Sequence, residues 1–149
     1  MEDERRSANH REPVTFFAPM RPPRTTHQMK SVRCVNGKPH HYEGQALACA
    51  RAKLMSAFAP HTPDKPLRGA VRASVKIIFP TDKPERHGKY RETKPDLDNS
   101  EKRIFDCLEA LGFFVVGDQQ IASKHTEKLW TAEHPGIWMR LEEIETQPS

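Results

Sequence analysis

Two aspartates two residues apart, Asp96 and Asp98 in the run Lys94-Pro95-Asp96-Leu97-Asp98-Asn99, carry the strongest chemical signal in this chain. An extended local backbone points alternate side chains the same way, so the two carboxylates can converge on one point. Two anionic oxygens held close are costly unless a cation sits between them, and hard oxygen donors with room for water suit Mg²⁺ or Mn²⁺. Lys102 lies four residues after Asp98. On a helix the two share a face, where an ammonium can neutralise a phosphate oxygen or the charge that develops in phosphoryl displacement. Asp118 sits in the break Gly117-Asp118-Gln119-Gln120, just after an apolar stretch. A strand lying antiparallel or adjacent to the helix could return it to Asp98. Each residue also has a plainer reading: an aspartate pair at a helix start caps it, Asp98 and Lys102 form an i, i+4 ion pair, and Asp118 is a turn residue.

The elements that must position these groups are legible in the periodicity. Val14 to Ala18 reads as a short strand, and Pro19, Pro22 and Pro23 with Arg21 and Arg24 make a stiff basic loop expected to stand out from the body. Asn36-Gly37 is a favoured two-residue hairpin turn between Ser31–Val35 and Lys38–Tyr42, although Pro39 restricts the second arm to an edge or to no strand at all. Leu47, Ala50, Leu54 and Phe58 recur at helical spacing, and Pro60 and Pro63 end that helix. Val71, Ala73, Val75, Ile77 and Phe79 alternate with polar residues, the signature of a half-buried strand.

A polar loop, 81 to 95, leads into a second amphipathic helix marked by Ile104, Leu108 and Leu111, with Gly112 as its stop. Asp98 and Glu101 match a capping-box spacing, which would place Asp98 at the N-cap. Phe113 to Val116 reads as a strand, and Ile121–Trp130 with Gly136–Ile144 as a final pair. Phe16, Phe17, Phe113, Phe114 and Trp138 fall in these strands and are expected in the core. The order β, hairpin, α, β, α, β, β, β predicts an α+β fold: a mixed sheet of about four to six strands with two main helices packed on it.

With 149 residues and 36% hydrophobic content the chain has room for one domain. We expect it over 14–144, between a polar tail at 1–13 and a short one at 145–149. No apolar run of about 18 residues and no basic-then-apolar leader is present, so a soluble intracellular protein without membrane contact is the simplest expectation. Cys34, Cys49 and Cys107 are odd in number and far apart, which signals neither a disulfide framework nor a zinc knuckle. The histidines show no H-x-x-x-H pattern, and there is no Ser-His-Asp order, phosphate-cradling glycine loop or dinucleotide fingerprint, hence no expected nucleotide cofactor. The net charge is only +4, but basic residues cluster in two loop-rich stretches. Arg21, Arg24 and Lys30 in one, and Arg86, Lys89, Arg91 and Lys94 in the other, are candidates for contacts to DNA phosphates.

From Lys94-Pro95-Asp96-Leu97-Asp98-Asn99 through Lys102, Phe105-Asp106, Leu108 and Gly112-Phe113 to Asp118-Gln119-Gln120-Ile121, the chain resembles the RusA family of Holliday junction resolvases. Pro19–Arg24 and His41-Tyr42-Glu43-Gly44-Gln45 resemble the family's first loop and the start of its first helix. The resemblance implies that Asp96, Asp98 and Asp118 hold a divalent metal, Mg²⁺ or Mn²⁺, and that Lys102 is needed for cleavage. It further implies a homodimer that cuts four-way DNA by paired symmetric nicks in recombination and repair, a cytoplasmic place, and a phage or prophage origin. The Gly112 to Asp118 segment departs from the family by about one added residue, and Gly117 stands where paired acids are common. The rivals are a non-catalytic DNA-binding or assembly protein, which predicts metal-independent behaviour, and a nuclease of the same chemistry acting on flaps or forks.

Overall fold

A computed structural model of the chain describes residues 11–24, 30–35 and 38–145, without the side chains of 30–35 and 38–43. Its strands are β1 (Val14–Pro19), β2 (Lys30–Val35), β3 (Lys38–Glu43), β4 (Val71–Pro80), β5 (Ile121–Thr131) and β6 (Gly136–Glu143), and its helices are α1 (Gln45–Phe58) and α2 (Leu97–Ala110). β2 and β3 form the expected antiparallel hairpin as a separate two-stranded sheet. Both of its strands are edges, so Pro39, which cannot donate to a ladder, is tolerated in β3.

The main sheet has the order β1-β6-β4-β5 and is mixed, as expected of an α+β fold. β4 lies at its centre, antiparallel to β6 and parallel to β5. Its inward residues are Val71, Ala73, Val75, Ile77 and Phe79, the five that the alternation selects. They meet Ile137, Met139 and Leu141 of β6, Leu54 and Phe58 of α1, and Ile104, Cys107 and Leu108 of α2 in one apolar core. α1 buries Leu47, Ala50, Leu54 and Phe58, again the residues that helical spacing selects. Its last turn runs on into a 3₁₀ turn, Ala59–His61, with Pro60 near its start, where a missing N–H is harmless.

Four expectations need correction. β5 and β6 are not a pair: β4 separates them, because the β4–α2–β5 connection is a helical crossover that returns the chain to the same end of the sheet and so makes β5 parallel to β4. Phe113–Val116 is not a strand, only a single bridge from Phe114 to Leu67, with Phe113 and Phe114 buried and Val115 and Val116 exposed. The proline loop does not stand clear of the body, since Pro22 is buried against Leu54, Ile77, Ile104 and Ile137. Phe17 is 37% exposed, because it falls on the outward phase of β1, and Trp138 is half-buried on the outer face with the Lys76 Nζ 5.2 Å from its ring centroid.

α2 ends in a Schellman arrangement. Gly112 takes φ 86°, its N–H reaches the Glu109 carbonyl at 3.1 Å and that of Phe113 reaches the Leu108 carbonyl at 3.1 Å. This left-handed position turns the chain back to the start of β5. The crossover therefore puts the two ends of α2 at opposite ends of the sheet, with its N-terminus by the carboxyl ends of β4 and β5. The end of β1 lies on that same edge, since both Pro19 and Ile78 pair with Gly136.

Candidate active site

The carboxyl edge of a parallel pair is where open α/β sheets place ligands, and Asp96 and Asp98 lie there. Asp96 is the N-cap residue of α2 in an extended conformation, φ −65° and ψ 138°, with no side-chain capping bond. Asp98 is exposed in the first turn. The expected capping box with Asp98 at the N-cap does not form. Asp96 holds that position, and the Glu101 carboxylate is buried and taken by the Lys124 ammonium and the Thr126 hydroxyl. Capping therefore does not account for this aspartate pair. The ion partner of Asp96 is Lys94, with Nζ 2.6 Å from Oδ1. Lys102 is exposed and pairs with neither Asp98 nor Asp106 among the described residues. Four-residue steps keep Asp98, Lys102 and Asp106 on one side of α2.

Asp118 does not share that end of the helix. It opens a 3₁₀ turn, Asp118–Gln120, just before β5, and its N–H donates to Glu109 Oε1 at 3.1 Å. Ligand oxygens of Asp106, Glu109 and Asp118 all lie within 4.8 Å of one another. Asp106 follows Asp98 by eight residues, a rise of about 12 Å along the helix. Within one chain, then, Asp118 gathers with Asp106 and Glu109 instead of with Asp96 and Asp98. Asp106 and Glu109 were not singled out as metal ligands from the sequence, where only their i, i+3 spacing hints at a shared face. Both groups are all-carboxylate and of the hard-oxygen type that fits a divalent cation such as Mg²⁺ or Mn²⁺.

A second set of cations shapes the loop that delivers Asp96. Lys128 of β5 donates to the carbonyls of Thr93 and Pro95 at 2.8 and 2.7 Å. Arg91 donates through Nε to Thr93 Oγ1 at 3.1 Å and through Nη2 to the Lys94 carbonyl. Burial, and then the neighbouring Arg91 guanidinium, holds the Lys128 ammonium below its usual range, while Asp96 pulls the other way. Removing Lys128 leaves two loop carbonyls without their donor. A displacement near 1 Å of a reacting group can cost about 10²-fold in rate. If Asp96 serves the cleavage that the resemblance implies, Lys128→Met is expected to lower DNA cleavage by about that factor while DNA binding is retained; wild-type cleavage by this variant would show that the loop holds Asp96 without it.

The remaining candidates for DNA contact separate clearly. Arg21, Arg24 and Arg86 are exposed and border one open groove with Arg91, which is only 6% exposed. Lys89 is exposed on the same loop as Arg86, Lys94 is engaged with Asp96, and the Lys30 side chain lies outside the described residues.

Residues 19–142 match the family of endodeoxyribonuclease RusA. The chain belongs to the RusA endodeoxyribonuclease family. The match spans both helices, the Asp96–Asp98 pair, Lys102 and Asp118. No curated protein matches the chain. RusA membership makes Holliday junction resolution its general activity and branched DNA its substrate class. Among the described residues no helix is long and apolar enough to cross a membrane.

Proposed function

We propose that this RusA-family protein is a Mg²⁺-dependent, structure-selective endonuclease, able to use Mn²⁺, that resolves four-way DNA junctions by paired symmetric nicks in recombination and repair. The observation that carries this reading is the placement of Asp96 and Asp98 at the carboxyl edge of the parallel β4–β5 pair, with no side-chain capping bond from Asp96, and with Lys102 four residues after Asp98 and without an ion partner among the described residues. In this reading Asp96 and Asp98 bind the divalent cation, and Lys102 offers its ammonium to a non-bridging phosphate oxygen as negative charge grows in the transition state. The bound cation would supply Lewis acidity toward the phosphate and toward the attacking water. Lys94, with Nζ 2.6 Å from Asp96 Oδ1, orients that carboxylate.

Asp118 is assigned as the third ligand, and the separation along α2 gives that assignment a structural requirement. A homodimer meets it. A two-fold axis crossing α2 near Lys102 would lay two copies of the helix antiparallel and carry each Asp118 toward the Asp96 and Asp98 of the other chain. The same symmetry sets two equivalent sites on opposed strands of a junction, as paired nicks need. The test is a labelled synthetic four-way junction incubated with the protein in Mg²⁺ and in EDTA. Paired nicks that require Mg²⁺ are expected; binding without cleavage in both conditions would overturn the proposal in favour of a DNA-binding role.

A further inference from the structure

Four arginines from two distant stretches of chain converge above the carboxyl ends of β4 and β5. Arg21 and Arg24 leave the end of β1, Arg86 and Arg91 come from the loop after β4, and all four line an open groove of about 500 Å³. Among the residues lining it only Asp82 is acidic, and no arginine of the four has an ion-pair partner among the described residues. Like charges gathered this way are costly in an otherwise empty groove and are offset by an anion.

Arg91 supplies an observation independent of surface charge. It is 6% exposed, with its guanidinium carbon 4.3 Å from the Phe79 ring centroid and 4.4 Å from that of Trp130. Two aromatic rings therefore pack against its guanidinium. Nε and Nη2 are satisfied by Thr93 and Lys94, while Nη1 bonds to no described residue. Among the described residues no buried side-chain nitrogen is left unsatisfied, so Nη1 reaches solvent, and Arg91 lines the groove. Burial and the nearby Arg24 both work against its charge, yet the residue offers a prearranged donor to whatever enters. Arg86 also lies over Trp130, at 5.4 Å. The indole is thus engaged by guanidinium groups, which favours a groove that reads phosphate over one that stacks a base.

We propose that this groove is a phosphodiester subsite that grips the DNA strand beside the cleavage position, with Arg91 as the fixed donor and Arg21, Arg24 and Arg86 as the rim. The proposal rests on the nuclease reading for the identity of its ligand. Arg91 and Asp96 are five residues apart, so their Cα atoms lie within about 18 Å, and both stand on the same edge of the sheet. A strand held in the groove is therefore held next to the aspartate pair. Because the contacts are to phosphate, the grip is independent of base sequence.

The test measures binding of a labelled four-way junction by fluorescence anisotropy in EDTA across a salt series, using the full-length protein and Arg24→Ala, Arg86→Ala and Arg91→Met. The first two are exposed and leave the core alone; Met keeps the apolar packing between Phe79 and Trp130, and circular dichroism checks its fold. Each substitution is expected to weaken binding about ten-fold and to lower the slope of log K against log salt by about one, equally on junctions of permuted sequence. Wild-type affinity and slope in Arg24→Ala and Arg86→Ala overturn the proposal, whether or not the wild-type protein cuts DNA. Loss of affinity and slope in a protein that cuts no branched DNA in Mg²⁺ supports the groove and removes the nuclease reading instead. Calorimetric titration with inorganic phosphate separates the sources: substitutions that abolish phosphate binding but leave the junction curve unchanged make this a free-anion site and overturn the proposal.

Discussion

Asp98→Asn is expected to lower junction cleavage in Mg²⁺ by at least about 10³-fold while junction binding in EDTA stays at the wild-type level. The size follows from the chemistry assigned to the residue, since a metal-held phosphoryl transfer draws several kcal/mol from charge stabilisation and each 1.36 kcal/mol is about ten-fold in rate. The amide keeps the shape of the side chain but removes the anionic oxygen. Asp98 is exposed, is not the N-cap residue, and has no ion-pair partner among the described residues, so the fold has little to lose by the change. Binding should survive because the arginine groove on the same edge is untouched. Single-turnover cleavage beside anisotropy distinguishes the two effects. Cleavage within ten-fold of wild type would remove Asp98 from the active site.

The second large effect is on stability. Phe113→Ala is expected to cost about 3–5 kcal/mol, a large part of the total stability, of about 5–15 kcal/mol, that a small domain has. Phe113 is fully buried, packs 6.1 Å from the Phe16 ring, and sits at the point where the Schellman turn after α2 feeds the chain back to the sheet. Its carbonyl accepts from the Leu67 N–H at 2.8 Å, and the Val115 N–H returns a bond to the Leu67 carbonyl at 2.9 Å. A void here would loosen the link between α2 and β5, and with it the Asp106–Glu109–Asp118 group. Urea unfolding measures it, as a lower midpoint at unchanged slope. A shift equivalent to less than about 1 kcal/mol would mean that the site collapses around the smaller side chain.

Local order was the part of the fold most open to reading. Alternation in β4 and the three-and-four spacing in α1 each mark the residues that the core buries, because period and burial are properties of one element and its own solvent-facing side. Gly112 was legible as a helix stop for a similar reason, since a left-handed residue after a helix is a local steric requirement. The Phe113–Val116 stretch misled because apolar character does not distinguish a strand from a buried link that makes a single bridge. Asp98 and Lys102 could be placed on one face from their four-residue spacing, and both lie in α2, whereas Asp96 stands just outside it as the extended N-cap residue.

What spacing could not decide was anything that required knowing where two distant segments meet. The sequence by itself determined most of the elements, the buried faces of α1 and β4, and a carboxylate pair beside a lysine at a helix start. Only the tertiary structure decided that β5 returns parallel to β4, and that choice, made by the helical crossover, sends Asp118 to Asp106 and Glu109 at the far end of α2. The same packing joins Arg21 and Arg24 to Arg86 and Arg91, some sixty residues away, into one groove. Sequence patterns record the environment of each residue along its own element, whereas contacts between elements follow from how the whole set of apolar faces is buried together.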